Sequence, residues 1–275
     1  MNKLEEIRLK VDTDTILICE GKEYIIENSK YITSEVLEEI LAKLVDYSYY
    51  AYEDELSKGY ITIEGGHRVG ICGRVTLKYG KVDLIKDVSS MNIRRSRQII
   101  GSADRVMKYI TDGETVCNTL IISPPKCGKT TLIRDISRHL SENGYRVSIC
   151  DERSEIAGCC IGKPAYDIGQ RTDVLDGCPK AIGIVMLIRS MAPDVIITDE
   201  IGRSEDINAI SDALSSGVNI ITTIHGNDMK DIRNSFLREF IDKGVFETLI
   251  FLTSEPEAGT VKEVLKFDKE SCSYG

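Results

Sequence analysis

No stretch of this 275-residue chain approaches the roughly 18 consecutive apolar residues that a membrane-spanning helix requires, which excludes an integral membrane protein built on helices. The N-terminal stretch Met1-Asn-Lys-Leu-Glu-Glu-Ile-Arg has no apolar signal core, so a cytoplasmic protein without direct membrane insertion is expected. Also missing is any Cys-x-x-Cys pair. The nine cysteines are odd in number, with Cys159 and Cys160 adjacent and Cys178 alone, a pattern that argues against a zinc module and for reduced thiols, most of them small core residues. Basic charge is in short supply. A net charge of −9 argues against nucleic acid as a partner, because its recognition rests on phosphate contacts by lysine and arginine. Repeats and low-complexity segments are absent as well. What remains is a globular composition, 42% hydrophobic and 29% charged, over a length that accommodates two modest domains.

The most informative segment runs Ser123-Pro-Pro-Lys-Cys-Gly-Lys-Thr, after the apolar run Thr119-Leu-Ile-Ile and ahead of a helix-patterned stretch. It reads as a phosphate-binding loop. Backbone N–H groups at a helix N-terminus cradle phosphate oxygens, a lysine at the place of Lys129 reaches the β- and γ-phosphates, and a hydroxyl at Thr130 ligates Mg²⁺. Ser123, Pro124, Pro125, Lys126, Cys127, Gly128, Lys129, Thr130 and Thr131 are the expected ATP-binding residues, with ATP and Mg²⁺ as cofactors. One element of the usual pattern is missing: the first glycine of G-x-x-x-x-G-K-[ST] is here Ser123. A residue with a Cβ fits there only if its φ stays negative, and Pro124-Pro125 should stiffen the loop.

The chain changes character near Ile100-Gly-Ser-Ala-Asp. Before it, Leu37, Ile40, Leu41, Leu44 and Tyr47 recur at helical spacing behind a capping Thr33 or Ser34, and short β-branched runs (Tyr60-Ile-Thr-Ile, Arg68 to Leu77, Lys81 to Ile85) predict a small antiparallel sheet. Residues 1–100 therefore read as an α+β domain. Beyond it, apolar runs alternate with helical patterns, the mark of βαβ units and a mainly parallel sheet over residues 101–275. Strands are expected at Leu120–Ser123, Arg146–Cys150, Val195–Thr198, Asn219–Ile224 and Leu249–Leu252, and helices at Lys129–Asn143, Ala181–Met191 and Glu205–Ser215. Residues 157–177 show no periodicity and are expected to form a long functional loop.

Three further strand ends carry polar groups, and the C-terminal strand ends of an open α/β sheet are where ligands bind. Val195-Ile-Ile-Thr-Asp-Glu offers Asp199 for Mg²⁺, usually through water, and Glu200 as the base for the attacking water. Asp151-Glu-Arg-Ser-Glu supplies Glu152 or Glu155 to organise metal or water. Thr223-Ile-His-Gly supplies His225 as a sensor of the γ-phosphate.

Several of these segments resemble a known group. Leu187-Ile-Arg-Ser-Met-Ala-Pro-Asp-Val-Ile-Ile-Thr-Asp-Glu-Ile-Gly and Thr223-Ile-His-Gly are similar to the Walker B and histidine-box segments of the type II/type IV secretion ATPases, and the stretch around Asp151, Glu152 and Glu155 to their acidic box. Gly59-Tyr-Ile-Thr-Ile-Glu-Gly-Gly-His-Arg-Val-Gly, Asp151-Glu-Arg-Ser-Glu-Ile-Ala-Gly and Asp176-Gly-Cys-Pro-Lys-Ala more closely resemble the stage III sporulation protein AA family of endospore-forming bacteria. The resemblance implies a RecA-like P-loop ATPase domain preceded by the smaller α+β domain. It also implies a hexameric motor that works from the mother-cell cytoplasm on a membrane channel or secretion complex, and arginine fingers from the first domain, best matched by Arg68 and Arg94. Two departures stand out: Asp199-Glu200 in place of the Gly-Glu usual in the secretion ATPases, and the absence of their four-cysteine zinc module.

Overall fold

A computed structural model describes residues 3–29, 31–268 and 273–275. Its contacts divide the chain into two units, Met1–Arg97 with Gly158–Tyr166, and Gln98–Ala157 with Asp167–Gly275. Nine residues from the middle of the chain thus belong with the N-terminal segment, which a single boundary near residue 100 does not describe.

The first unit contains β1 (Leu4–Lys10), β2 (Thr15–Cys19), β3 (Lys22–Ile26), α1 (Ser34–Leu44), α2 (Glu53–Ser57), β4 (Tyr60–Ile63), β5 (His67–Lys78) and β6 (Lys81–Arg94). All neighbours in its six-stranded sheet, ordered β3-β2-β1-β6-β5-β4, pair antiparallel. Helix α1 begins as its sequence predicts. The Thr33 side chain accepts from the Val36 N–H at 3.4 Å, Glu35 sits in the positive first turn, and Lys43 closes the last. Its apolar stripe places Leu37 and Leu41 in a core with Ile61, Val69, Val88 and Met91. Strands β1 to β3 are absent from the sequence reading. Every residue of β3 is exposed and β1 is half-buried throughout most of its length, so no alternating apolar pattern marks them.

The second unit follows as α3 (Met107–Ile110), β7 (Thr119–Ser123), α4 (Lys129–Glu142), β8 (Val147–Asp151), β9 (Thr172–Asp176), α5 (Lys180–Met191), β10 (Val195–Glu200), α6 (Ser204–Ser215), β11 (Asn219–His225), α7 (Met229–Arg233), α8 (Arg238–Asp242), β12 (Thr248–Thr253), β13 (Thr260–Asp268) and β14 (Ser273–Tyr274). Its sheet has the order β14-β13-β12-β7-β11-β10-β8-β9, parallel from β12 to β9 and antiparallel at β13 and β14. The inner strands are apolar runs because both faces are covered: all five residues of β7 and of β8 are buried, as are five of the six in β10. Leu120, Ile122, Ile184, Ile196, Ile220 and Phe251 belong to the core between this sheet and its helices.

Two expectations need correction. The stretch expected to be a loop between residues 157 and 177 contains β9, which pairs with β8 at the sheet edge; its half-buried Thr-Asp-Val-Leu-Asp lacks the unbroken apolar run of an inner strand. Cysteines are also less central than expected. Cys127, Cys150 and Cys159 are buried, Cys72 is exposed, and the other four described are intermediate; Cys272 lies outside the described residues.

Candidate functional site

The site grows out of strand ends. In the parallel core the C-terminal ends of β7, β8, β10 and β11 lie side by side, because β7 pairs with β11, β11 with β10 and β10 with β8. A cavity of about 380 Å³ opens there, lined by Lys129, Thr130, Glu152, Glu155, Asp199, Glu200 and His225 among others. Of the residues singled out from the sequence, the loop lysine and threonine, both Asp199 and Glu200, Glu155 and His225 therefore share one space.

The loop itself departs from β7 with Ser123, which ends the strand outside the left-handed region. The positive φ angles fall elsewhere, on Lys126 at 64° and Gly128 at 83°. The missing glycine is tolerated because the backbone at that position does not need one. Ser123 is in fact a partner of the loop lysine: Lys129 Nζ donates to the Ser123 carbonyl at 3.0 Å, to its Oγ at 3.3 Å and to the Pro124 carbonyl at 3.2 Å. Gly128 caps α4, whose first N–H groups face the loop with no intrahelical acceptor. Residues Pro125 to Thr131 line an adjoining cavity of about 410 Å³ together with Glu155, Glu200 and His225. Thr131 also lines a further cavity of about 340 Å³ with Gly128 and Gly259.

His225 joins the loop to Glu200. Its Nδ1 lies 2.9 Å from Lys129 Nζ, and its Nε2 lies 2.9 Å from Glu200 Oε2. With Lys129 fully protonated, Nδ1 accepts and Nε2–H donates to the carboxylate, which fixes the neutral tautomer. Burial holds the Lys129 pKa below the ordinary lysine value, and Glu200 opposes that shift.

Asp199 and Glu200 are successive residues, and on a regular strand they would face opposite sides of the sheet. The register of β10 against β11 shifts between Ile197 and Glu200, and both carboxylates line the cavity. The neighbouring backbone is pinned: Thr222 Oγ1 donates to the Asp199 carbonyl and Thr198 Oγ1 to the Cys150 carbonyl, each at 3.0 Å. Asp199 is only 8% exposed, and burial raises its pKa against the opposing pull of Lys180. Its Oδ1 is buried and meets the Lys180 ammonium at 2.8 Å. A buried carboxylate at a strand end, in one cavity with the Thr130 hydroxyl, offers the oxygen donors that suit a hard divalent cation.

Two residues that shape the site, Lys180 and Arg134, escaped the sequence reading, and Asp151 entered it only within the segment similar to the acidic box. Lys180, at the start of α5, bridges Asp199 and Glu152, with its Nζ 2.7 Å from Glu152 Oε2. Burial works against its charge, but the two carboxylates outweigh that and hold its pKa above the ordinary value. A signal was present: a lysine opens a helix whose first turn has no acid, the unfavourable end for a cation. Arg134, buried on α4, donates to the carbonyls of Glu155 and Ile156 and fixes the acidic segment. Asp151 accepts the N–H groups of Glu155, Ile156 and Ala157, each at 2.9 Å. Burial pushes its carboxyl up to about 7, assisted by Asp199 and opposed by those donors.

Arg68 and Arg94 belong to the first unit, where they face each other across β5 and β6. The Arg68 guanidinium stacks 3.8 Å from the Tyr60 ring centroid, and Arg94 Nε lies 3.9 Å from Glu6 Oε2.

A phosphate loop leaving β7 and a carboxylate pair leaving β10, with β11 between them in the order β12-β7-β11-β10-β8, make the second unit a RecA-like P-loop ATPase fold. Solved structures share the architecture. The ATPase DotB of Legionella pneumophila superposes with a TM-score of 0.65 at 15% identity, covering 98% of this chain and 78% of that one. The pilus retraction motor PilT, solved with bound ADP, gives 0.62 at 13% identity, covering 90% and 74%. Membership is narrower than the fold. Residues 1–271 match the family described as "Sporulation stage III, protein AA", and the chain belongs to that family. The Bacillus subtilis (strain 168) protein named Stage III sporulation protein AA is 42% identical over 275 residues, covering 98% of this chain and 88% of that protein. No helix among the described residues is long and apolar enough to cross a membrane.

Proposed function

We propose that this chain is an ATP-hydrolysing motor subunit of sporulation, acting as a ring, hexameric by analogy with secretion ATPases, from the mother-cell cytoplasm on a transmembrane channel or secretion complex. The observation that carries the hydrolytic part is the line Lys129–His225–Glu200, two 2.9 Å contacts that join the phosphate-binding lysine to the candidate base. Lys129 is held by Ser123, Pro124 and His225. A γ-phosphate arriving at the loop competes for that ammonium, and His225, released from Lys129, is left on Glu200. Arrival of phosphate is thereby reported to the residue that orients water.

Thr130 and Asp199 would hold Mg²⁺, which supplies charge neutralisation on the phosphate oxygens when bound. Glu200 accepts the proton of the attacking water, while the N–H groups at the start of α4 and the Lys129 ammonium receive developing negative charge. We assign the arginine that completes the site in the assembled ring to Arg68 or Arg94. The membership of the family and the likeness to motor ATPases support coupling of this chemistry to a membrane machine.

The test is ATP turnover against protein concentration, with mass measured in parallel, for the wild type, Lys129→Ala and Glu200→Gln. Lys129→Ala should lose nucleotide binding, whereas Glu200→Gln should still bind nucleotide and turn over about 10²- to 10⁴-fold more slowly. Unchanged turnover in Glu200→Gln would remove the chemical basis of a motor, and full turnover by a strictly monomeric protein would remove the arginine supplied in trans. Stimulation by single-stranded DNA would instead favour a nucleic-acid-dependent ATPase.

A further inference from the structure

The cavity contains a cation that the hydrolytic reading leaves unused. Lys180 is 6% exposed, and its ammonium lies between two carboxylates, 2.8 Å from Asp199 Oδ1 and 2.7 Å from Glu152 Oε2. Its position is set by the backbone. Pro179 leads into α5, and Gly183 one turn later lets the helix pack against β8, where any Cβ would overlap Cys150 Sγ. The ammonium therefore reaches the end of β10 from a helix packed closely against β8. The lysine stem still allows it to swing between its two acids.

We propose that Lys180 is the resident counter-cation of Asp199, occupying the carboxylate that would receive Mg²⁺ and giving it up only when the metal arrives with nucleotide, so that free divalent metal is kept out. This rests on the nucleotide-hydrolysing reading above. The two carboxylates are unequal in the way an exchange needs. The ammonium meets both carboxylates at close range, 2.7 Å at Glu152 and 2.8 Å at Asp199, and the difference lies in their surroundings. Glu152 is the more exposed partner, at 28% against 11% for the Asp199 side chain. A divalent ion at Asp199 displaces the ammonium onto Glu152, which already holds it, and no buried charge is stranded in the process. The loop threonine and the phosphates would supply the remaining ligands, so metal and nucleotide would enter together. Metal alone would have to expel Lys180 with one carboxylate as its reward; metal carried by phosphates gains enough further contacts to do so.

The test is metal binding without nucleotide. Mn²⁺ titrations of the nucleotide-free chain, read by electron paramagnetic resonance, compare the wild type, Lys180→Met, Lys180→Arg and the double variant Lys180→Met with Asp199→Asn. Removing one positive charge beside the carboxylate should tighten Mn²⁺ binding roughly tenfold or more. Lys180→Arg should bind as weakly as the wild type, and the double variant should lose the gain. Equal Mn²⁺ affinity in the wild type and a folded Lys180→Met overturns the proposal. If Lys180→Met does not fold, Glu152→Gln serves, because it removes the refuge for the displaced ammonium. The Mg²⁺ concentration needed for half-maximal binding of a fluorescent ADP should then rise several-fold, and an unchanged requirement overturns the proposal. A wild type that binds no ADP at any Mg²⁺ concentration refutes the nucleotide reading itself, a failure visible separately from the Mn²⁺ result.

Discussion

Replacing Gly128 by alanine strains the phosphate loop in two separable ways. Its φ of 83° is a left-handed conformation that costs an L-residue about 1–2 kcal/mol. The added Cβ would also stand 3.0 Å from Gly259 N and 3.1 Å from Gly259 Cα, inside the roughly 3.5–4.0 Å of comfortable contact. The turn before β13 cannot yield freely, since Gly259 N–H donates to the Cys127 carbonyl at 3.1 Å, a bond worth about 1 kcal/mol net. Together these give about 2–3 kcal/mol of destabilisation. Gly259→Ala isolates the first effect, because its φ of 92° is equally left-handed but nothing lies within 4 Å of its Cβ, so about 1–2 kcal/mol is expected. The restriction that alanine places on the unfolded chain offsets both variants alike. Urea denaturation measures the stabilities, and binding of a fluorescent ADP reports the loop. Gly128→Ala should be the less stable by about 1 kcal/mol and should lose nucleotide binding, because its loop N–H groups are re-aimed. Equal destabilisation of the two variants, or wild-type affinity in Gly128→Ala, would refute this account.

Arg134→Met removes the donors to the buried Ile156 carbonyl and the part-buried Glu155 carbonyl; the chain should lose about 2–3 kcal/mol in denaturant titrations, and a loss below half a kcal/mol would deny Arg134 its anchoring role. Asp151 titrates at about 7 in the fold against 3.8 when unfolded, so between those values the folded chain keeps a proton that the unfolded chain has released. Its contribution to stability therefore falls as pH rises from about 4 to 7, by on the order of 4 kcal/mol for the net shift. Carboxyl NMR should place the midpoint near 7, and a midpoint near 4 would mean that the three N–H donors outweigh burial.

The parts of the fold legible in the sequence were those whose surroundings are uniform. Strands β7, β8, β10, β11 and β12 read as apolar runs because helices cover both faces, and α1 declared itself through Thr33 and its stripe. Strands β1, β2, β3 and β9 were illegible for the opposite reason: they are exposed or half-buried, and polar side chains suit them as well as apolar ones. The membership of residues 158–166 in the first unit was hidden too, since contacts distant in sequence decide it.

By itself the sequence determined the phosphate loop, the paired acids, the histidine at the end of β11 and the alternation that builds a parallel sheet. Each is a local statement, made by neighbouring residues through backbone geometry or periodicity. Tertiary structure alone decided that Ser123 can replace a glycine, because φ at that position depends on how β7 runs into the loop. It also decided that His225 joins Lys129 to Glu200, and that Lys180 occupies Asp199. These are contacts between side chains from separate strands and helices, set by the crossover order of the sheet and by the close approach that Gly183 allows. No local pattern encodes them, since Coulomb and hydrogen-bond energies depend on distances in space and not on separation along the chain.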